Sequence, residues 1–275
     1  MRKKLALFCN VSSDAVFASS NVEKSIYEIP VLFHKEGIDA AIVKKLKLKT
    51  DVATSNIRQW TLFNNKLSEG GSKVTIAMVG KKDYLDECYK SVKESLFHAA
   101  VTSFGAQLDL RKIDAEALED TESIPSAFEG VDGIVIPGNY GQRGFLGLLK
   151  TVKYARENNI PYLGIDLGMQ LMAIETARSL LGWADADSKE FIQNSEHSII
   201  SLPEDQTGLA AAGSIQLGTQ TVKIQKETKL HEAYKKLTVS ERHRNKYTFD
   251  KKYSQAMKEN GLVLSAETEL DSRIE

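Results

Sequence analysis

Three apolar runs dominate the chain: KVTIAMVG (73–80), VDGIVIPG (131–138) and PYLGID (161–166). Each ends at or beside a glycine and leads towards a stretch with helical spacing: Leu85–Ala100, LGLLKTVKYAREN (146–158) and LGMQLMAIETARSLLG (167–182). Strands that are apolar throughout must be covered on both faces. Strands that alternate with helices are joined by crossovers, so the pattern predicts an α/β fold with a doubly wound, mostly parallel sheet. A weaker strand is expected at Gln107–Arg111. In such sheets the chemistry gathers at the C-terminal strand ends, here Gly80, the PGNYG loop (137–141) and Asp166.

The third of these ends is the most pointed. In IPYLGIDLGMQLM (160–172) a short strand turns into a helix around one polar side chain, the pattern of a nucleophile elbow. The residue displayed there is an aspartate, where Ser or Cys is usual.

The flanking segments are less regular. LALFC (5–9) reads as a strand, Ser25–Lys35 and Asp39–Leu46 as helices, and 47–72 as a polar linker ending at the Gly70–Gly71–Ser72 turn signal. Within it, Trp60, Leu62 and Phe63 are candidates to pack on something. Towards the C-terminus, SIQLG and QTVKI read as two strands and YSQAMKENG as a helix. The charge balance of 36 basic against 37 acidic residues gives no electrostatic reason for a nucleic-acid or membrane partner. Two cysteines exclude a disulfide scaffold; Cys9 and Cys88 read as packed side chains. No run reaches the ~18–20 apolar residues of a membrane span, and the N-terminal apolar run is too short for a signal peptide. A cytoplasmic protein is expected.

Five motifs, in order, carry a family resemblance. KVTIAMVGKKDYLDECYKSVKESLFHAA, GIVIPGNYGQRGFLG, YARENNIPYLGIDLGMQLMAIETAR, ADSKEF and ERHRNKY resemble the glutamine amidotransferase domain of CTP synthase. KLALFCNV and SIYEIPVLFHKEGID resemble the end of that family's ATP-dependent amidoligase domain. The resemblance implies a class I glutamine amidotransferase (flavodoxin-like) sheet at 73–275, short of its C-terminal end. It implies a remnant of a P-loop-type amidoligase domain at 1–48, with 49–72 as linker. The family makes CTP from UTP, ATP, Mg²⁺ and ammonia released from glutamine. No GxxxxGK[ST] cradle occurs in residues 1–275, so no cofactor and no metal are expected for this chain.

On the family pattern, Asp166 stands at the position of the nucleophilic Cys, and the HPE motif that supplies the family's His and Glu would fall beyond Glu275. A carboxylate is a far weaker nucleophile towards an amide than a thiolate, and it puts negative charge where the oxyanion must be stabilised. No catalytic residue is therefore expected. The resemblance places glutamine against Gly138, Asn139, Tyr140, Gly141, Gln170, Glu190 and Lys246. Asn139 replaces a glycine and Tyr140 a phenylalanine. Lys246 replaces an arginine, keeping the charge and losing the bidentate fork.

These readings imply a CTP-synthase-like protein with a degenerate amidotransferase domain, without glutaminase or CTP synthase activity of its own. L-glutamine is the expected ligand, and a CTP synthase or a second copy the expected partner. The alternatives are a hydrolase that uses Asp166 on another small molecule, and one piece of a split CTP synthase. Asp83, Asp86 and Glu87 read as an exposed acidic first turn rather than a metal site, His98 as a half-buried structural histidine and His243 as solvated.

Overall fold

A computed structural model describes every residue except 20, 23, 24, 51–55, 139, 140, 203–215, 270–272 and 275. Asn139 and Tyr140, two of the expected ligand-binding residues, thus lie outside the described residues, as do the first two of SIQLG. The chain divides into two compact units, one of Met1–Val74 with Lys93–Asp109, the other of Thr75–Val92 with Leu110–Glu275.

The first unit is mostly helical: α1 (Arg2–Phe8), α2 (Ile29–Lys35), α3 (Ile38–Leu46) and α4 (Ile57–Glu69). The last two helices of the N-terminal segment fall where their spacing predicts them, α2 preceded by a helical turn that Ser25 caps through Tyr27 N–H at 3.2 Å. LALFC, expected as a strand, is helix α1, with Leu5, Leu7 and Phe8 exposed. No described strand pairs with it, and a helix meets its backbone hydrogen-bonding needs internally where a lone strand would not.

The stretch expected as a linker contains the 13-residue helix α4. Its apolar side chains explain it: Phe63 is buried, 4.9 Å from the Tyr27 ring and 5.9 Å from Phe97 by ring centroids. His98 is exposed rather than half-buried, yet its Nε2 lies 2.7 Å from the Tyr27 hydroxyl, which donates in turn to Glu94. Burial first, and Glu94 second, push that phenol up to about 12.

The second unit carries the doubly wound sheet, in the order β2 (Gln107–Asp114), β1 (Lys73–Gly80), β3 (Gly133–Ile136), β4 (Tyr162–Gly164). Strands β1 and β3 are parallel with Ala77 opposite Ile134, and β3 and β4 are parallel with Val135 opposite Leu163. Between β1 and β2 the expected helix is interrupted: α5 (Lys82–Leu85), a turn, then α6 (Lys90–Ala99). Cys88 lies in that turn and is exposed, as is Cys9, so neither is packed. A four-residue helix, α7 (Ile124–Ala127), precedes β3. The sheet is covered by α8 (Phe145–Glu157) and α9 (Leu167–Leu180), whose Leu148, Val152, Leu171 and Ile174 join Ala77, Val79, Ile134 and Ile136 in one core. Strand β4 was expected to be buried. It is the terminal strand of the described sheet, and Leu163 and Ile165 are exposed, with no described strand paired beyond them.

Two smaller sheets complete the unit. Strands β5 (Asp187–Ser188), β6 (Ser198–Ser201) and β9 (Thr248–Phe249) form one. In the other, β7 (Gln216–Ile224) pairs antiparallel with β8 (Thr238–Asn245) across α10 (Lys229–Tyr234). Helix α11 (Ser254–Glu259) follows, and β10 (Ala266–Thr268) pairs with the free side of β7. Over the described part of the two strands expected within 214–224 there is one strand, whose pairing with β8 runs through Gly218 without a break. His243, expected in solvent, is 8% exposed on β8. No helix among the described residues is long and apolar enough to cross a membrane.

Candidate functional site

The turn from β4 into α9 is an elbow. Asp166 has φ 53° and ψ −110°, a conformation that costs a non-glycine residue about 1–3 kcal/mol. Glycines on either side make it possible. A Cβ at Gly164 would lie 2.4 Å from the Gly168 carbonyl carbon, and one at Gly168 would lie 2.3 Å from the Ile136 carbonyl oxygen. Helix α9 therefore starts directly against the end of β3, and the Tyr162 hydroxyl donates to the Gly168 carbonyl at 2.7 Å across the bend. This puts the Asp166 carboxylate at the C-terminal edge of the sheet. Burial raises its pKa to about 6; the Glu190 charge adds to this and the Leu167 N–H opposes it.

Gly138, at the end of β3, lies against Asp166. A Cβ at Gly138 would stand 3.1 Å from both Cβ and Oδ2 of Asp166, so any larger residue there would push the Asp166 side chain back by a few tenths of an ångström. The Tyr89 hydroxyl donates to the Gly138 carbonyl at 2.8 Å, using the turn that interrupts the helix after β1. Gly141, at φ 74°, gives its N–H to the Glu190 carboxylate. Glu190 is positioned from α9: the Arg178 guanidinium donates to Asp187 at 2.6 Å and to the Ala186 carbonyl at 2.7 Å, pinning β5. Two residues on, Glu190 N–H donates to Ser188 Oγ at 3.2 Å. Burial raises the Glu190 pKa, while Gly141 N–H, Lys246 and Lys81 lower it.

Lys246 sits between β8 and β9, its ammonium 5.5 Å from the centre of the Tyr247 ring. Gln170, one turn into α9, is 4% exposed, and its Oε1 has no hydrogen-bond partner among the described residues. The structure thus brings Gly138 against Asp166, and Gly141 and Lys246 to Glu190, whose charge acts on Asp166, while Gln170 gives its N–H to the Asp166 carbonyl one turn along the same helix.

Sequence reasoning overlooked three contributors. Lys81 is 6% exposed at the end of β1, and burial lowers its pKa, with Arg143 acting in the same direction against Glu116 and Glu190. Arg143 bridges Asp83 at 2.7 Å and Glu116 at 3.0 Å. Tyr89 is the third. Lys81 follows Gly80 at a strand end, and that position was signal enough to find it; nothing local distinguishes Tyr89 or Arg143. Of the three residues expected in an acidic first turn, only Asp83 lies in α5, paired to Arg143; Asp86 is the C-cap, paired to Lys112, and Glu87 lies in the turn that follows.

Among the described residues, Asp185, Glu196 and His197 place one potential metal-ligand atom each within 4.8 Å of one another. Asp185 is already engaged there, by His197 Nδ1 at 2.7 Å, His197 N–H at 3.0 Å and Ser195 Oγ at 3.1 Å. These bonds account for the cluster without a cation.

Comparison with known proteins agrees with this geometry. The family "Glutamine amidotransferase class-I" matches residues 84–275, and "CTP synthase N-terminus" matches residues 1–48. CTP synthase of Protochlamydia amoebophila is 39% identical over 96% of this chain and 49% of its own length. That of Desulfovibrio desulfuricans is 38% identical over 96% of this chain and 50% of its own. The chain spans about half the length of the curated relatives it matches. The glutaminase domain of Trypanosoma brucei CTPS, solved with bound acivicin, superposes with a TM-score of 0.69 at 34% identity, covering 74% of this chain and 79% of that one. With the elbow, the glycine loop and both family matches in the same chain, this protein belongs to the CTP synthase family and carries its class I glutamine amidotransferase domain.

Proposed function

We propose that this chain holds L-glutamine at the elbow pocket without hydrolysing it. The observation that carries the reading is Asp166, which occupies the displayed position of the elbow in a strained backbone conformation. Thioester chemistry needs a thiolate there, and an ionised carboxylate is both a poor nucleophile towards an amide and a repulsive neighbour for an oxyanion. The rest of the pocket suits a zwitterion. Lys246 offers a cation for the α-carboxylate, and Glu190 with the Gln170 Oε1 offers acceptors for the α-ammonium. The glycine loop keeps the close backbone approach that a small ligand needs. The reading assigns no ATP, Mg²⁺ or metal to this chain. Regulation of a CTP synthase, or assembly with one or with a second copy, is the role that a glutamine-holding family member would play.

The test is calorimetric titration of L-glutamine into the protein and into Asp166→Cys, with ammonia release assayed alongside. Binding to the protein without ammonia release is the expected result. Ammonia release by the protein would overturn the inactive reading, and no binding to either form would overturn glutamine as ligand.

A further inference from the structure

Strand β8 pairs with β7 on one side, and no described strand pairs with its other side. The hydrogen-bond pattern fixes which residues face that open edge. The Ile224 N–H donates to the Leu237 carbonyl at 2.9 Å, which makes Ile224 and Leu237 a bonded pair. Bonded pairs recur at every second residue of an antiparallel ladder, so Val239, Glu241, His243 and Asn245 turn their backbone groups to β7. The far side of β7 agrees. Gln225 N–H donates to the Ser265 carbonyl and Glu269 N–H to the Thr221 carbonyl, so the odd-numbered residues of β7 face β10. The N–H and C=O groups of Thr238, Ser240, Arg242 and Arg244 are thereby left pointing away from the sheet.

The side chains of those same residues share one face and are all exposed, whereas Val222, Ile224 and His243 are buried on the opposite face. Arg242 stands across from Thr219, and Arg244 across from Leu217, itself 60% exposed. Neither guanidinium has an ion pair or a hydrogen bond among the described residues. The acids of the same sheet are engaged elsewhere: Glu269 pairs with Lys223 at 3.2 Å, and Glu241, on the opposite face, accepts from the Tyr234 hydroxyl.

Unpaired groups along an edge strand form a template for another strand, and charge on the edge decides which strand is admitted. A strand added to β8 would set one side chain directly opposite each arginine on the same face, with Cβ atoms about 5 Å apart. A basic segment would be repelled there, and a neutral one would leave both cations uncompensated. Carboxylates at alternate positions would match both.

We propose that the open edge of β8 is a docking site for an extended acidic segment of a partner protein, which adds to the sheet as a further strand and sets carboxylates two residues apart against Arg242 and Arg244.

The experiment is fluorescence anisotropy with a labelled, amidated peptide, Glu-Val-Glu-Val-Thr-Val-Thr, together with amide hydrogen exchange read by NMR. The peptide should bind about tenfold more tightly than its Gln-Val-Gln counterpart, as two cross-strand ion pairs would give. It should also bind more tightly than Glu-Glu-Val-Val-Thr-Val-Thr, whose charges fall on opposite faces of a strand. Binding should slow exchange at the N–H groups of Ser240, Arg242 and Arg244. The double variant Arg242→Gln with Arg244→Gln, shown by a thermal melt to be folded, should bind the first peptide no better than the Gln-Val-Gln one. Absence of binding, equal binding of the three peptides, or full affinity in the folded double variant would overturn the proposal. Binding that leaves exchange at Ser240, Arg242 and Arg244 unchanged would refute addition of a strand at this edge.

Discussion

Replacing Asp166 by asparagine should stabilise this protein at neutral pH and do much less in acid. Asp166 has its pKa raised from the ordinary 3.8 to about 6, mainly by burial. The folded protein therefore holds the proton more tightly than the unfolded chain does. The cost is absent below pH 3.8, grows between 3.8 and about 6, and is complete above that. The interval is about 2 pH units, so the ionised carboxylate costs about 3 kcal/mol at about pH 8, falling to about 1 kcal/mol at about pH 4.5. Asparagine has the same shape, still accepts from Leu167 N–H and keeps the strained φ of 53°, so charge is the main change. Urea denaturation of both proteins at the two pH values reads the difference directly. Asp166→Gly should add a gain of about 1–3 kcal/mol that does not vary with pH, from relief of backbone strain. A gain for Asp166→Asn that is equal at both pH values, or a loss at about pH 8, would refute burial of the charge as the cause.

Two further outcomes concern the scaffold that holds the elbow. Glu175 on α9 is 2% exposed and takes a two-pronged bond from Arg156 on α8, with Nε at 2.9 Å from Oε2 and an NH2 nitrogen at 2.8 Å from Oε1. Arg156→Met would strand that carboxylate and should cost about 3–5 kcal/mol in urea denaturation, and the double change with Glu175→Leu should recover most of it. Gly168→Ala would force a methyl to within 2.3 Å of the Ile136 carbonyl oxygen, where only backbone can yield. It should cost more than about 3 kcal/mol, against about 1 kcal/mol for Gly182→Ala, where φ is 73° and nothing lies within 4 Å of the new Cβ. Thermal melts of the two variants side by side check the contrast.

Much of the fold was legible along the chain, because its main determinants are local. The runs 73–80, 131–138 and 161–166 are apolar over consecutive residues, and the helices that follow repeat every three to four, so strand–helix alternation could be read without any long-range information. The elbow was equally plain, since Gly164, Asp166 and Gly168 sit within five residues, and a bend so tight requires glycines wherever backbone meets backbone. What failed depends on distant neighbours. LALFC has the composition of a strand and became helix α1 for want of a strand to pair with. PYLGID looked buried and lies at the sheet edge. Helix α4 formed in a segment read as linker because Phe63 found the ring of Tyr27.

The site divides in the same way. That an aspartate takes the displayed position was determined by the sequence alone, since position 166 follows from the bend and its identity needs no structure. That this aspartate has its pKa raised to about 6, that Glu190 presses on it, that Lys81 is buried and acts on Glu190 and that Gln170 Oε1 has no partner among the described residues were decided only by the tertiary structure. The physical reason is that charge and hydrogen-bond capacity acquire their energies from burial and from the groups within a few ångströms. Those groups come from β1, the loop after β3, α9, the segment after β5 and the turn after β8, which only folding brings together.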